Sequence, residues 1–377
     1  LSTKIDGLEN IIEEVRKKMI LDEWIEKKYS YKIYPNPDDI KKAIKSIKKS
    51  QKPLIITGRG AVKCEKTIIR LINKFDIPYL DTQDSRGIVP QANSNNIYAA
   101  RSKVIAEADL VILIGRKLDY QLAFGSPAVF KNAIFLRISS NTGELNDNRR
   151  GHPEIYADPE VVLNKILKGL DKVNFNKNWI KKIKQHHNLK INKSKTIKID
   201  EIGKDKKINP KLIFKVLKNL INENFVGIAD GGDILSFARV GLHSRYYLDS
   251  GVFGCLGIGI PYSIVASMVF KNKKVVCVTG DGAFGFNAME IDTAVKNKSN
   301  ICVIISNNGG LPEASPHAIK LKNLSVKNLE KNLIHLIRNK KKLLKLQRTI
   351  FDTFNLTNLK MSKKIDSYRN DLKKKNS

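Results

Sequence analysis

The stretch KVVCVTGDGAFGFNAMEIDTAVKNKSNICVIISNNGG, residues 274–310, decides the fold. Val275–Thr279 reads as a buried strand and Gly280-Asp281-Gly282 as a tight turn. About Asn287 to Lys296 reads as a helix, and Ile301–Ser306 as a second buried strand. Strand, helix and strand in that order form a βαβ unit, whose crossover makes the two strands parallel. Their carboxyl ends then share one sheet edge, which is where such sheets bind ligands. Asp281 follows the first strand and Asn308 the second, 27 positions later. The spacing sets two oxygen-bearing side chains next to each other.

The same alternation extends outward. Upstream of the βαβ unit lie an amphipathic helix over Leu212–Leu220, a strand at Phe225–Ala229 and a Gly-rich stretch from Gly251 to Gly259. Further back, Asp38 can cap a helix through Ile40, Ile44 and Ile47, and Pro53–Thr57 follows as a short buried strand. Gly58-Arg59-Gly60 leads into a helix carrying Ile68, Ile69 and Leu71, with further strands at Ile77–Leu80, Leu110–Ile114 and Ala133–Ile138. Alternating elements of this length imply parallel sheets covered on both faces. The expected fold is α/β: two doubly wound parallel-sheet (Rossmann-like) domains with a basic, mainly helical C-terminal tail. The expected divisions are a linker or remnant at 1–35, a central domain at 36–167, a Lys- and Asn-rich linker at 168–206, a second domain at 207–310 and the tail at 311–377.

Composition bounds the function. The 377 residues carry a net charge of +31, which invites a nucleic-acid reading because clustered cations release counterions from phosphates. The lysines, however, are spread through nearly every segment, which suits a solvated basic surface. No stretch approaches the roughly 20 apolar residues of a membrane helix, and the charged start lacks a signal peptide's apolar run. A cytoplasmic protein is expected. Cys64, Cys255, Cys277 and Cys302 form neither a CxxC pair nor a zinc pattern, and read as small apolar fillers.

A carboxylate and a carboxamide converging on one edge suit a hard cation such as magnesium, which shares oxygen ligands with phosphates. Gly280 and Gly282 let backbone amides approach a diphosphate, and Gly309 and Gly310 leave a carbonyl free as a further ligand.

GDG, then 24 residues, then NN resembles the signature of thiamine diphosphate enzymes. In that family the Asp and the second Asn bind magnesium together with a carbonyl two residues later, which implies Asp281, Asn308 and the carbonyl of Gly310. Asp230-Gly-Gly-Asp-Ile-Leu-Ser-Phe-Ala-Arg239 is similar to the diphosphate-contacting loop of acetolactate synthase-like enzymes and implies Gly231, Gly232 and Asp233. Gly254-Cys-Leu-Gly257 resembles the loop under the thiazolium, implying Gly254, Cys255 and Leu256. Leu256 stands where acetolactate synthases typically carry Met. Gly280, Gly282, Ala283 and Phe284 complete the implied cofactor contacts.

The resemblance covers roughly residues 36–310. Pro53-LIITGRGAV, Ala99-Ala-Arg-Ser102, the run Ala108–Arg116 and Leu118-Asp119 look like the central domain of the same superfamily. There, acetolactate synthases hold FAD, while oxalyl-CoA decarboxylases and 2-hydroxyacyl-CoA lyases hold ADP or part of coenzyme A. Gly58, Gly60, Gly115, Arg116 and Asp119 are the nucleotide candidates. An empty structural domain is the alternative, because Gly58-x-Gly60 lacks the third glycine of a GxGxxG fingerprint.

The family's catalytic Glu lies on an N-terminal pyrimidine-binding domain supplied by a neighbouring subunit. The residues before Asn36 are too few for it, so no catalytic residue is assigned within this chain. The expected partner is that domain, from another chain or a missing region, in a homo- or hetero-oligomer. The resulting reading is the thiamine diphosphate- and magnesium-binding portion of a carboligase or lyase acting on 2-oxo acids or 2-hydroxyacyl compounds. Alternatives are a 2-hydroxyacyl-CoA lyase or oxalyl-CoA decarboxylase-like activity, an inactive fragment, and a basic nucleic-acid-binding protein. A nicotinamide-dependent oxidoreductase would need a GxGxxG turn and a ribose-binding acid, and the sequence has neither. His243, a lone histidine, reads as structural.

Overall fold

In the computed structural model the described residues are 32–196, 209–220 and 225–307, with Lys331 and Ile334. The expected N-terminal remnant up to residue 31, the expected magnesium ligands Asn308 and Gly310, and the expected tail (apart from Lys331 and Ile334) lie outside them.

The first unit is a five-stranded parallel sheet in the order β2-β1-β3-β4-β5. Its strands are β1 (Pro53–Thr57), β2 (Tyr79–Asp81), β3 (Leu110–Ile114), β4 (Ile134–Ser139) and β5 (Glu154–Tyr156). β1 and β3 are buried at every residue, as central strands covered on both faces must be, and so they read as unbroken apolar runs. Helices α1 (Pro37–Lys49), α2 (Glu65–Phe75), α3 (Arg101–Glu107) and α4 (Pro159–Gly169) cover the sheet. α1 is capped by the side chain of Asn36, which accepts from the amide of Asp38, so the cap sits two residues before the one expected.

The expected linker at 168–206 needs correction. Lys177–Thr196 forms a 20-residue helix, α5, and Trp179, Ile180 and Ile183 are buried in the core of the first unit. Its remaining faces are polar and Lys-rich, which hid the narrow apolar stripe. The Trp179 indole N–H also donates to Glu107 at 2.9 Å.

The second unit is a four-stranded parallel sheet in the order β7-β6-β8-β9. It comprises β6 (Phe225–Asp230), β7 (Tyr246–Leu248), β8 (Lys274–Gly280) and β9 (Ile301–Ser306). Val276 and Val278 pack in one core with α6 (Lys211–Leu220) and α7 (Asp233–Gly241), while Val275 and Cys277 pack in another with α8 (Gly259–Val269) and α10 (Glu290–Lys296). The period of two along β8 thus feeds two cores, one on each face, and the unit is doubly wound as expected. One local detail differs. Asp281 opens a short helix, α9 (Asp281–Phe286), capped by Gly280, and the expected helix after it begins at Glu290.

The two units meet along a joint of side chains. Arg245 pairs with Glu65 at 2.8 Å, Arg86 lies 4.6 Å over the Tyr247 ring, and the Tyr120 hydroxyl donates to the carbonyl of Val252 at 3.0 Å. Tyr98 contacts His187 of α5 and His243 of the second unit, at 5.0 and 5.9 Å between ring centres.

Candidate functional site

Each sheet reverses its strand order once, and the crevice for a ligand lies at the carboxyl ends of the strands flanking that reversal. In the second unit these are β6 and β8, paired from Phe225↔Lys274 to Asp230↔Thr279. The loop after β6 carries Gly231 and Gly232, and β8 ends in Gly280-Asp281-Gly282. The two meet: a Cβ built on Gly231 would lie 3.1 Å from the amide nitrogen of Gly280. Gly231 also has φ +116°, a region that L side chains rarely adopt. The backbone conformation thus favours glycine here, and the close approach leaves a side chain little room.

Gly232, Gly254 and Gly282 have no atom within 4 Å of a built Cβ. Their missing side chains leave open space above the backbone, a cradle of the kind a diphosphate requires. Asp233 opens α7 and is exposed, while Asp281 is 4% exposed and accepts from the amide of Gly282 at 2.9 Å. β9 lies parallel to β8 with Ser306 opposite Gly280, so Asp281 and Asn307 follow directly from neighbouring strand ends. That is the arrangement expected from the spacing, as far as the described residues reach. Among the described residues no cluster of three or more His, Cys, Asp or Glu could hold a metal, and Asp281 is the one expected magnesium ligand among them. Ala283 is buried, and Phe284 packs at the edge of the core beneath α8.

The loop before α8 presents Phe253, Gly254, Cys255 and Leu256 to the surface, with Phe253 89% and Leu256 43% exposed. Cys255 is exposed, so the reading of all four cysteines as apolar fillers holds for Cys64, Cys277 and Cys302 and fails here. An apolar Leu256 standing partly free at the mouth of the crevice fits a residue that props a ring.

Sequence reading passed over two residues in this region. Asp230 ends β6, is 1% exposed, and accepts from the amides of Gly257 at 3.0 Å and Gly259 at 2.8 Å. Burial raises its pKa, against the lowering effect of those amides and that of Gly231. Asn287 follows α9 and donates its side-chain amide to the carbonyl of Gly257 at 2.8 Å. An acid closing an apolar strand run just before two glycines was the available signal for Asp230. Asn287 offered none.

In the first unit the reversal lies between β1 and β3, and the structure brings Gly58, Gly60, Gly115, Arg116 and Asp119 together there. Their contacts are with one another. A Cβ on Gly58 would meet the Gly115 carbonyl at 2.5 Å and the Arg116 side chain at 2.6 Å, and Gly60 donates to the Gly115 carbonyl at 3.1 Å. Arg116 forms two 2.9 Å bonds to Asp119 and a third to Gln121. These glycines allow two loops to touch and leave no open cradle. Arg86 and Arg101 approach the same edge near Asp81, whose pKa burial raises against their attraction. A neighbouring cavity of about 350 Å³, lined by Arg101, Ser102, Gln121, Leu122 and Val129, does not by itself enclose a flavin dinucleotide.

His243 is half-buried at the joint, and its pKa is pushed down to about 4 by burial and by the nearby Lys218 and Arg86. It contacts Tyr98, away from the crevice residues, in keeping with the structural role expected. No helix among the described residues is long and apolar enough to cross a membrane.

Family models match both units: residues 40–166 match the thiamine pyrophosphate enzyme central domain, and residues 232–314 the C-terminal TPP binding domain. A 2-hydroxyacyl-CoA lyase of Saccharomyces cerevisiae is 30% identical over 290 residues, which cover 74% of this chain and 51% of that protein. 2-Hydroxyacyl-CoA lyase 1 of Mus musculus is 28% identical, covering 70% and 48%. The acetolactate synthase large subunit IlvG of Mycobacterium tuberculosis is 29% identical, covering 73% and 50%. The chain spans about half the length of these curated relatives.

Proposed function

The chain belongs to the thiamine pyrophosphate enzyme family, and from that we propose that it forms the cofactor-binding part of a carboligase or lyase acting on 2-oxo acids or 2-hydroxyacyl compounds. The observation that carries the reading is the cradle at the β6/β8 reversal, where open glycines and a buried carboxylate meet. Gly231, Gly232, Gly280 and Gly282 would hold the diphosphate, with Asp233 beside it. Asp281, Asn308 and the Gly310 carbonyl would hold magnesium. Leu256 would support the thiazolium, flanked by Gly254 and Cys255.

When bound, the cofactor supplies a nucleophilic carbon and an electron sink for making or breaking a bond next to a carbonyl. The residues of this chain bind and orient it. Asp281 would supply negative charge to the metal, and the glycine amides would supply donors to the diphosphate. The proton-handling Glu of the family would come from a pyrimidine-binding partner domain. Apolar exposure supports such a partner: Tyr262, Val265, Met268 and Val269 form a bare stripe on α8, near the exposed Phe286 and Met289.

An acetolactate synthase-like activity and a 2-hydroxyacyl-CoA lyase activity both fit the relatives, and turnover of pyruvate against a 2-hydroxyacyl-CoA distinguishes them. For the central unit, FAD or ADP finds support in the arginines at its crevice but none in a glycine cradle. Absorbance and nucleotide release from the purified protein decide it. Assembly as an oligomer in the cytoplasm completes the reading.

Calorimetry tests it, with thiamine diphosphate and magnesium added to the wild type and to Asp281→Ala in the presence of a pyrimidine-domain partner. The wild type binds, and the variant loses at least the roughly 10- to 100-fold that even an outer-sphere metal partner is worth. Equal binding by both proteins, or binding by neither, would overturn the proposal.

A further inference from the structure

We propose that Asp230 and Asn287 are positioning residues that grip Gly257 from two sides and so set the height of Leu256 over the diphosphate crevice, an inference that rests on the cofactor reading above. The grip is complete at one residue. The Gly257 amide donates to Asp230 at 3.0 Å, and the Gly257 carbonyl accepts from the Asn287 side chain at 2.8 Å. Gly257 has φ +91°, and a built Cβ would sit 2.7 Å from the Cβ of Phe286 and 2.9 Å from the Asn287 amide nitrogen. Neither the conformation nor the space admits a side chain.

Three segments of the site are joined through this point. Asp230 is the last residue before the Gly231-Gly232 loop, Asn287 is the first after the helix that Asp281 opens, and Gly257 follows Leu256 directly. The residues from Phe253 to Leu256 are exposed. Upstream, the loop is tied where Gly251 donates to Asp249 at 2.8 Å and Tyr120 to the Val252 carbonyl. The Asp230–Gly257–Asn287 bridge is the tie on its other side.

The same carboxylate oxygen of Asp230 accepts from Gly259, the first residue of α8, at 2.8 Å. α8 has no side-chain cap from its own sequence, because Ile258 holds the cap position. A carboxylate from the end of β6 serves instead, satisfying an orphan amide and adding charge of favourable sign. One buried carboxylate thereby fixes both the loop and the helix behind it. Asn287 ties the carbonyl side to the GDG segment, so movement of the metal-bearing turn and movement of the thiazolium loop are mechanically coupled.

Hydrogen exchange of the full chain, followed by mass spectrometry, tests this on the wild type, Asp230→Ala, Asp230→Asn and Asn287→Ala. Without cofactor, Asp230→Ala should speed exchange in the segment 254–259, at its hydrogen-bonded Gly257 and Gly259 amides, on the order of 10- to 100-fold, the worth of hydrogen bonds to a charged acceptor. Asp230→Asn, which keeps an acceptor oxygen, should recover much of the protection. Asn287→Ala should loosen the same segment although it touches none of those amides, while residues 274–280 of β8 stay protected in every variant. Unchanged exchange at 254–259 in both alanine variants overturns the inference, as does loosening that includes β8 equally. A titration of thiamine diphosphate with magnesium, with the partner domain supplied, should slow exchange at 254–259 in the wild type and shift its midpoint upward in both alanine variants. An unshifted midpoint in a loosened loop also overturns it. If the wild type itself does not respond, the cofactor reading fails, and the cofactor-free comparison alone decides whether the pair holds the loop.

Discussion

Arg137 shows how much of a residue's importance comes from partners distant in sequence. It lies in β4, 1% exposed, and its guanidinium bonds both Asp147 oxygens and the carbonyls of Glu144, Leu145 and Arg149. A buried cation of this kind is tolerable because the loop after β4 folds back around it. Asp147→Asn keeps the shape but removes the opposing charge, and should cost about 3–5 kcal/mol in urea unfolding, the usual effect of breaking a buried pair. A loss below about 1 kcal/mol would mean that the carbonyls alone satisfy the arginine. Asp281 is the contrasting case. Its neighbours in sequence already place it at a strand end beside a second strand end, so it is legible in the sequence alone. Asp230 and Asn287 are not, because their meaning depends on Gly257, which lies 27 and 30 positions away.

Among the elements, strands were legible and one helix was not. β1, β3 and β8 are apolar runs bounded by glycine or polar residues, and burial on both faces requires that pattern; β9 is as apolar but is buried only at Ile301 and Cys302, its other residues being half-buried. α5 carries the opposite signal. Its buried positions Trp179, Ile180, Ile183 and His187 make a stripe narrower than a usual core-facing helix, amid lysines that suit a linker. Tertiary packing against α3 and the neighbouring loop therefore decides its structure. Trp179→Ala should destabilise the first unit by about 3–5 kcal/mol, as large-to-small changes of a buried aromatic do. Equilibrium unfolding followed by far-ultraviolet circular dichroism measures this, and an unchanged midpoint would mean that α5 is dispensable to that core.

For the molecule as a whole, the two units meet at a joint of charged and aromatic side chains. His243 lies in that joint with its pKa pushed down to about 4, below the ordinary value of 6.5. A base whose folded pKa is depressed binds its proton more readily once the joint opens or the chain unfolds. Its contribution to stability is therefore complete above about pH 6.5 and is lost progressively as pH falls toward 4. The urea midpoint should drop between pH 7 and pH 5, and His243→Gln should flatten that drop. An identical pH slope in the variant would assign the effect to other groups. This coupling could not be read from the sequence, because Tyr98, Arg86 and Lys218 are brought to His243 only by the docking of two separately legible domains.

The exposed loop at the crevice has a practical consequence for watching the protein work. Burial pushes the thiols of Cys64, Cys277 and Cys302 up to about 12, so at neutral pH they stay protonated and shielded from electrophiles. Cys255 alone of the four thiols stands open to solvent, one residue from Leu256. A single environment-sensitive dye, attached through a maleimide to the unaltered chain, would therefore report optically from the rim of the crevice.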